Sequence, residues 1–156
     1  MNEIAAKNLL PPTTAEENER LEDLLHEVEK FPPVDLKTEH HLHAGVYSRT
    51  IYVPAGTAVV GLLIRVPTQL VACGHFQLTD GGRTKEFRGY HVLDGNKHRR
   101  AAVLCFTNCA FTMLFATKAK TVEEAENEFT DEPERLLTRK EKLICQEQPL
   151  QAQSLP

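Results

Sequence analysis

The sequence lacks several features that mark specialised classes of protein. It has no tryptophan, and aromatic residues make up only 6% of its 156 residues, which leaves few rings for stacking on nucleobases. Its apolar runs fall short of the roughly 20 residues that a membrane-spanning helix needs. No basic start followed by an apolar block, the mark of a secretory signal, opens the chain. We therefore expect a soluble, cytoplasmic protein with no membrane partner.

Signatures of common catalytic and metal sites are also missing. The chain contains no P-loop, GxSxG, HExxH or dinucleotide-binding fingerprint. Its four cysteines form no CxxC pair, which disfavours a zinc ribbon: Cys73, Cys105, Cys109 and Cys145. In a cytoplasmic protein such cysteines are expected to be reduced thiols. The sequence therefore predicts no cofactor.

Acidic residues are scarce in the middle of the chain. Residues 40–120 contain ten Lys or Arg residues but only three acids, Asp80, Glu86 and Asp94. Residues 1–39 contain ten acids and four bases, and residues 121–156 contain nine acids and four bases. Two interpretations follow: either the acidic ends pack beside the basic middle and balance its charge, or the middle attracts an anionic ligand.

The pattern between His40 and Thr117 is typical of a β-rich domain. Short runs rich in β-branched residues alternate with Gly- and Pro-containing turns, as in VYSRTIYV, PAGT, AVVGLLIRV and TDGG. This spacing predicts an antiparallel sandwich or barrel. Thr14 with Glu17, and Thr121 with Glu124, have the spacing of helix capping boxes.

These signals predict one domain with helical ends, as the length also favours. The predicted organisation has five parts: a flexible tail over 1–13, an amphipathic helix over 14–31, a β-barrel over 38–120, a helical segment over 121–145 and a disordered tail over 146–156.

Two stretches of the domain resemble a known family. The stretch Gly45–Arg49, with Val53-Pro54-Ala55-Gly56-Thr57 and Val60-Gly61 after it, resembles the opening of cupin-like (jelly-roll) proteins of the kind found in phages and prophages. Residues 93–101 and 107–117 resemble the second conserved stretch of that family. The resemblance covers about residues 40–130. It implies a mainly β fold, a single antiparallel jelly-roll barrel with an N-terminal amphipathic helix and C-terminal helices, in the host cytoplasm if phage-encoded.

The resemblance also bears on metal binding. In metal-binding members, an HxH pair and a later histidine hold the metal, and the matching positions here fall at Ile64, Val66 and near Phe115. Alkyl and phenyl side chains cannot ligate a metal, so the resemblance implies no metal at the usual cupin centre. His41 and His43 share one face of an extended strand and are the alternative metal ligands.

The candidate ligand-binding residues follow from strand alternation. Tyr47 and Arg49 share a face with Ile51 and Val53, which predicts that both point into the barrel. A buried guanidinium needs a negative partner, which is either a bound anion or an acidic terminal helix. Arg99 and Arg100 alternate along a strand, so at most one is expected to enter the pocket. The predicted ligand-binding set is Tyr47, Arg49, Arg65, His75, Arg99 and Arg100.

The favoured hypothesis is a metal-free binding protein that holds an anionic small molecule, a nucleotide or a phosphorylated sugar, and sequesters it. One alternative is an enzyme, either a metal-free sugar epimerase or isomerase with His75 or His91 beside an acid, or a metalloenzyme using His41 and His43. Another is a structural or protein-inhibiting oligomer. A homodimer is expected because sheet edges need cover, and acidic ends disfavour nucleic acid as a partner.

Overall fold

The computed structural model describes residues 9–136 and is mainly β. Along this part of the chain the elements are β1 (Leu9–Leu10), α1 (Ala15–Val28), β2 (Lys37–His43), β3 (Val46–Val53), β4 (Ala58–Val60), β5 (Thr68–Thr79), β6 (Thr84–Gly95), β7 (Ala102–Cys105), β8 (Cys109–Ala116) and α2 (Val122–Phe129), followed by a 3-10 turn at Pro133–Arg135. Neither helix is long and apolar enough, among these residues, to cross a membrane.

The eight described strands form one branched sheet. Its main path runs in the order β1-β6-β5-β8-β3-β2, while β7 pairs with β5 and β4 pairs with β7. Strand β5 pairs with β6 along its whole length but changes its other neighbour, from β8 at residues 69–73 to β7 at residues 76–79. Gly74 lies at this change, with a φ of +130°. The branch therefore depends on a backbone conformation that glycine tolerates and other residues do not.

The prediction of a single antiparallel jelly-roll barrel needs correction in its details, although the fold is mainly β as predicted. Leu9 and Leu10 pair in parallel with Asp94 and Gly95 on β6, while the other strand pairs are antiparallel. The sheet is therefore mixed, and its described order is open at β1 and β2. Pairing begins inside the segment predicted to be a flexible tail, and it ends at Pro11, which has no backbone N–H to donate.

Three predicted segments fall partly or wholly outside the described residues, those over 1–13, 121–145 and 146–156. Helical structure within the predicted segment 121–145 is observed as α2 and the short 3-10 turn, while residues 137–145 lie beyond the described range. The predicted disordered tail over 146–156 and the first eight residues also lie outside it.

The N-terminal helix α1 begins as its sequence predicts and packs on its own chain. The Thr14 side chain accepts a hydrogen bond from the Glu17 N–H, and the Glu17 carboxylate accepts one from the Thr14 N–H. Leu21 is buried at 1% exposure, while Leu24 of the same helix is 38% exposed, so the helix packs on the sheet through Leu21. The Arg20 guanidinium donates to the Gly81 carbonyl at 3.0 Å. The helix is therefore fixed to the β5–β6 hairpin as well as to the core.

Apolar side chains of the inner sheet face build two core clusters. In the first, the buried Phe76 ring packs on Phe87 and Phe111, with ring centroids 5.2 and 4.9 Å away. In the second, helix α2 covers the inner face of β3 and β8, and Phe129 contributes a ring that is 1% exposed. The alternation along β8 is regular, since Cys109, Phe111, Met113 and Phe115 are all buried.

Candidate anion-binding site

A buried polar network lies between the sheet and α2. Tyr47 has no exposed surface, and its ring packs between those of Phe115 and Phe129. The Tyr47 hydroxyl is 2.7 Å from His40 Nδ1, and burial raises the pKa of Tyr47 to about 12. Arg49 Nη1 lies 3.4 Å from Glu126 Oε2, and the two side chains are only 11% and 4% exposed.

The Arg49–Glu126 pair changes the argument for a ligand at this position. The sequence left two partners open for Arg49, a bound anion or an acidic terminal helix, and the structure has the second, because Glu126 belongs to α2. Glu126 is 77 residues away in the chain, and α2 brings it to the inner face. The protein's own carboxylate therefore neutralises Arg49. A ligand-binding role for Tyr47 and Arg49 stays a prediction.

Arg65 holds the end of helix α2. Its Nε donates to the Glu128 carbonyl at 2.7 Å and its Nη2 donates to the Asn127 carbonyl at 2.6 Å. It also forms an ion pair with Asp131. The last carbonyls of a helix lack intrahelical partners and carry partial negative charge, so a guanidinium stabilises them. These contacts explain Arg65 without a ligand.

His75 meets an acid, as the enzyme hypothesis requires, but on the outer face of the sheet. Its Nε2 lies 2.5 Å from Glu86 Oε1, and its ring packs on Phe106 with centroids 4.7 Å apart. The hydrogen bond from His75, followed by that from Arg88, holds the pKa of Glu86 below its ordinary value of 4.5. Neither His75 nor Glu86 lines either of the two cavities described below. The geometry is that of a hydrogen-bonded pair across two strands.

The histidines proposed as alternative metal ligands are exposed on β2. His41 and His43 lie opposite Ser48 and Val46 of β3. Within residues 9–136, no three or more His, Cys, Asp and Glu side chains are grouped to hold a metal ion. Of the positions that match the cupin metal ligands, Phe115 belongs to the second core cluster, and the partly buried Ile64 and Val66 pack against it.

A cavity of about 230 Å³ lies where β1, the β5–β6 hairpin and residues 99–101 meet. We call it the basic cavity, because four of its ten lining residues are basic and one is acidic. The other five are aliphatic. Its lining consists of Leu9, Leu10, Pro11, Leu78, Asp80, Arg83, Lys85, Arg99, Arg100 and Ala101.

Arg99 is buried in the wall of the basic cavity with neutral partners. It is 7% exposed, and its guanidinium donates to the Asn96 carbonyl at 3.0 Å and to the Thr68 hydroxyl. Within the described part of the chain it forms no ion pair with a carboxylate, and burial lowers its pKa to about 10. Gly95 leaves the space that the guanidinium fills, since a Cβ there would overlap it. The cation is therefore desolvated without a compensating negative charge.

Arg100 lines the same cavity and has one unsatisfied donor. It is 5% exposed, its Nε donates to the Gly61 carbonyl at 2.7 Å, and its Nη1 donates to Glu22 Oε2 at 2.6 Å. Its Nη2 is buried and has no hydrogen-bond partner among residues 9–136. A buried donor without a partner costs about 1–3 kcal/mol, so this nitrogen is a candidate contact for a ligand.

Both arginines reach one cavity, contrary to the expectation that at most one would. The expectation assumed a regular strand, in which successive side chains point to opposite faces. The segment is irregular instead: His98 has a φ of +58°, and Arg99 makes only an isolated bridge to Ile64. Strand alternation therefore does not govern these two side chains.

Glu22 connects α1 to Arg100, and acid is expected to weaken that connection. Hydrogen bonds from Arg100 and Arg135 hold the pKa of Glu22 below its ordinary value of 4.5, against the effect of burial. A lowered pKa means that the pair stabilises the fold above about pH 4.5 and stops doing so as the pH falls through the folded-state value. Because the Glu22 side chain is 36% exposed, we expect a contribution of no more than about 1 kcal/mol.

The measurement compares wild type with Glu22→Gln by urea unfolding between pH 7 and pH 3. The difference in free energy of unfolding should be constant above about pH 5 and should shrink below it. Glu19→Gln, on an exposed position of the same helix, is the matched control. Its difference in free energy of unfolding from wild type should not change with pH in this way. A difference that persists unchanged to pH 3 would contradict the role given to Glu22.

Sequence reasoning missed several walls of the basic cavity. Leu9, Leu10 and Pro11 were assigned to a tail, and Arg83 and Lys85 were counted only in the overall charge. The available signal was the excess of basic residues over residues 40–120. That excess does not show which basic side chains meet in one cavity. Their meeting depends on the β5–β6 pairing and on the path of β1.

A second cavity, lined by residues of other segments, differs in chemistry from the basic cavity. It measures about 630 Å³ and has one acidic and one basic residue in its lining. None of the buried polar atoms found without a hydrogen-bond partner in the described residues belongs to it. Its lining consists of Asp35, Lys37, Tyr52, Val53, Pro54, Cys73, Asn108, Cys109 and Ala110. The basic cavity is therefore the stronger candidate for an anion.

No protein-family model matches the sequence, and no curated protein matches it. Solved structures similar to this chain include a cupin superfamily protein from Desulfitobacterium hafniense, 10% identical over 58% of this chain and 87% of that one, with a TM-score of 0.46. An RmlC-like cupin family protein from Methanocaldococcus jannaschii is 12% identical over 53% and 81%, with a TM-score of 0.45. Ectoine synthase from P. lautus is 15% identical over 70% and 83%, with a TM-score of 0.48. Similarities this remote support no functional argument.

Proposed function

We propose that this protein binds a small anionic molecule in the basic cavity. The observation that carries the proposal is the pair of adjacent arginines in its wall, both more than nine-tenths buried. Arg99 has no carboxylate partner among the described residues, and the Nη2 of Arg100 has no hydrogen-bond partner there. An anionic oxygen would supply both a charge and an acceptor, so binding would relieve two costs that the protein bears without a ligand.

The remaining charges of the cavity support an anion. Arg83 and Lys85 are exposed basic residues of its lining, and Asp80 is the one acid. Asp80 Oδ1 already accepts hydrogen bonds from the N–H groups of Gly82 and Arg83, at 2.9 and 2.7 Å. The acid is therefore committed to the hairpin turn, and the exposed bases would draw an anion toward the buried arginines.

The same lining supports binding over catalysis. Guanidinium and ammonium groups hold anions well, but they remain protonated at neutral pH and do not act there as general bases. None of the ten lining residues is a histidine, a cysteine or a serine. A cavity of this composition suits a protein that holds a ligand, as sequestration requires.

Arg99→Met is expected to weaken binding of inorganic phosphate at least tenfold, measured by isothermal titration calorimetry on the full chain at low salt. A charge-assisted hydrogen bond contributes about 1.5–3 kcal/mol, and about 1.4 kcal/mol corresponds to one decade in Kd. Lys85→Ala removes an exposed charge and should weaken binding by a smaller factor, about two- to fivefold. This second variant keeps the test valid if Arg99→Met lowers stability.

Arg88→Ala is the matched control. Arg88 belongs to β6 like Lys85, carries the same charge, is 75% exposed and contacts Glu86 instead of the cavity. Its loss should leave phosphate binding unchanged. If wild type binds no phosphate at millimolar concentration, or if Arg88→Ala weakens binding as much as Arg99→Met, the proposed function is wrong.

A further inference from the structure

The basic cavity has a second property, an aliphatic part of its wall. Half of its lining residues are aliphatic, and β1 with the proline after it supplies three of them. Leu10 packs against the first core cluster, to which the buried Leu78 belongs. The aliphatic set is Leu9, Leu10, Pro11, Leu78 and Ala101. A ligand that met only the arginines would leave this wall facing water, so the wall predicts an apolar part in the ligand.

The strand that forms this wall is short and is held at few points. β1 has two residues and pairs with Asp94 and Gly95 of β6. The Leu10 carbonyl accepts from the Asn96 N–H at 3.0 Å, and the Thr13 N–H donates to the His98 carbonyl at 2.9 Å. A bound apolar group would add contacts on the cavity side of β1. The strand is thus placed both to select the body of the ligand and to be stabilised by it.

The lining offers no aromatic side chain on which a nucleobase would stack. None of its ten residues has an aromatic ring, and stacking on aromatic side chains is the usual way in which proteins hold bases without reading their edges. The volume of about 230 Å³ is also below the roughly 300–1,000 Å³ of pockets for drug-sized ligands. A phosphate group on a short chain is a better match for both features.

We propose, resting on the proposed function, that the ligand is a phosphomonoester with a short aliphatic body, held by its phosphate at Arg99 and Arg100 and by its body under β1. Four basic groups against one acid favour a dianion over a carboxylate. The aliphatic residues of the wall would be covered by the apolar body of the ligand. This assignment departs from both ligand classes considered from the sequence, because the lining has no aromatic ring for a nucleobase and its aliphatic wall has no hydrogen-bond partners for the hydroxyls of a sugar.

The test compares four probes by calorimetry on the full chain: inorganic phosphate, n-butyl phosphate, n-butyrate and adenosine 5′-monophosphate. Each buried CH₂ group contributes about fourfold in affinity, so n-butyl phosphate should bind at least about tenfold tighter than inorganic phosphate. The nucleotide should bind no tighter than inorganic phosphate, and n-butyrate should bind more weakly than n-butyl phosphate.

Leu10→Ala separates the two halves of the site. It should weaken n-butyl phosphate binding about three- to tenfold, while inorganic phosphate binding should change less than about twofold. If Leu10→Ala lowers the melting temperature, Leu9→Ala takes its place in the test, and it should also weaken the binding of n-butyl phosphate more than that of inorganic phosphate. Leu24→Ala, on α1 and 38% exposed, is the matched control and should change neither affinity.

The outcomes distinguish this inference from the proposed function. If none of the probes binds, the proposed function fails and the inference fails with it. If phosphate binds but the nucleotide binds tighter than n-butyl phosphate, or if Leu10→Ala weakens both phosphate probes equally, the inference alone is wrong.

Discussion

Glu126→Ala is expected to lower the free energy of unfolding by about 3–5 kcal/mol, because it leaves the Arg49 guanidinium buried without its carboxylate. Arg49 is 11% exposed, Glu126 is 4% exposed, and the closest atoms of the pair are 3.4 Å apart. Helix α2 would have to move to admit water, and its Phe129 ring packs on Tyr47 and Phe115. Urea unfolding at pH 7 measures the change.

The control for this prediction replaces both partners. Arg49→Met combined with Glu126→Leu removes the two charges together, and a buried pair replaced in this way often costs little or even stabilises. The double variant should therefore recover most of the stability that Glu126→Ala loses. Glu134→Ala removes an exposed acid of the same C-terminal region and should change stability by less than about 0.5 kcal/mol.

The same variants test the sequence hypothesis for Arg49. If Glu126→Ala costs less than about 1 kcal/mol, the pair is not what stabilises the buried guanidinium. If, in addition, Arg49→Ala leaves the fold intact but abolishes phosphate binding, Arg49 is a ligand contact as the strand alternation suggested. The expected result is the opposite, with Arg49→Ala affecting stability far more than binding.

Features of the fold that depend on neighbouring residues were predictable from the sequence. The capping box at Thr14 and Glu17 is local and is observed. The two-residue period of β3 predicts that Tyr47 and Arg49 lie on the inner face. In the structure Tyr47 belongs to the second core cluster, and Arg49 pairs with Glu126 of α2. Such features need only the geometry of one helix or one strand.

Features that depend on tertiary contacts were not predictable in the same way. The parallel pairing of Leu9 and Leu10 with β6 joins segments more than 80 residues apart. The positive φ of His98 breaks the alternation that would have separated Arg99 from Arg100. Neither leaves a periodic signal in the sequence. A phage origin and a homodimer stay predictions.

The two interpretations of the charge pattern apply to different residues. The acidic ends do balance part of the basic middle, because Glu22 pairs with Arg100, Glu126 with Arg49 and Asp131 with Arg65. Arg99 is not balanced in this way within the described residues. Arg99 is therefore a buried arginine without a carboxylate among the described residues, and it lies in the basic cavity, whereas the sequence hypothesis placed the anion at Arg49.

Gly74→Ala is expected to cost about 2–6 kcal/mol, because two penalties combine at the branch of the sheet. Its φ of +130° is a conformation that residues with a side chain rarely adopt, which costs about 1–3 kcal/mol. A Cβ would also lie 2.5 Å from Cys109 Sγ and 3.1 Å from the Asn108 carbonyl oxygen. Overpacking of this kind costs about 1–3 kcal/mol more. Urea unfolding measures the loss.

Gly89 provides a control on the neighbouring strand, since it lies directly opposite Gly74 in the β5–β6 pair. It also has a positive φ, of +85°, but a Cβ there would meet nothing within 4 Å. Gly89→Ala therefore carries the conformational penalty alone, about 1–2 kcal/mol. Adding Cys109→Ala to Gly74→Ala removes the closest clash and should recover part of the loss, although the Asn108 contact remains. Equal losses for Gly74→Ala and Gly89→Ala would show that the crowding against Cys109 is unimportant.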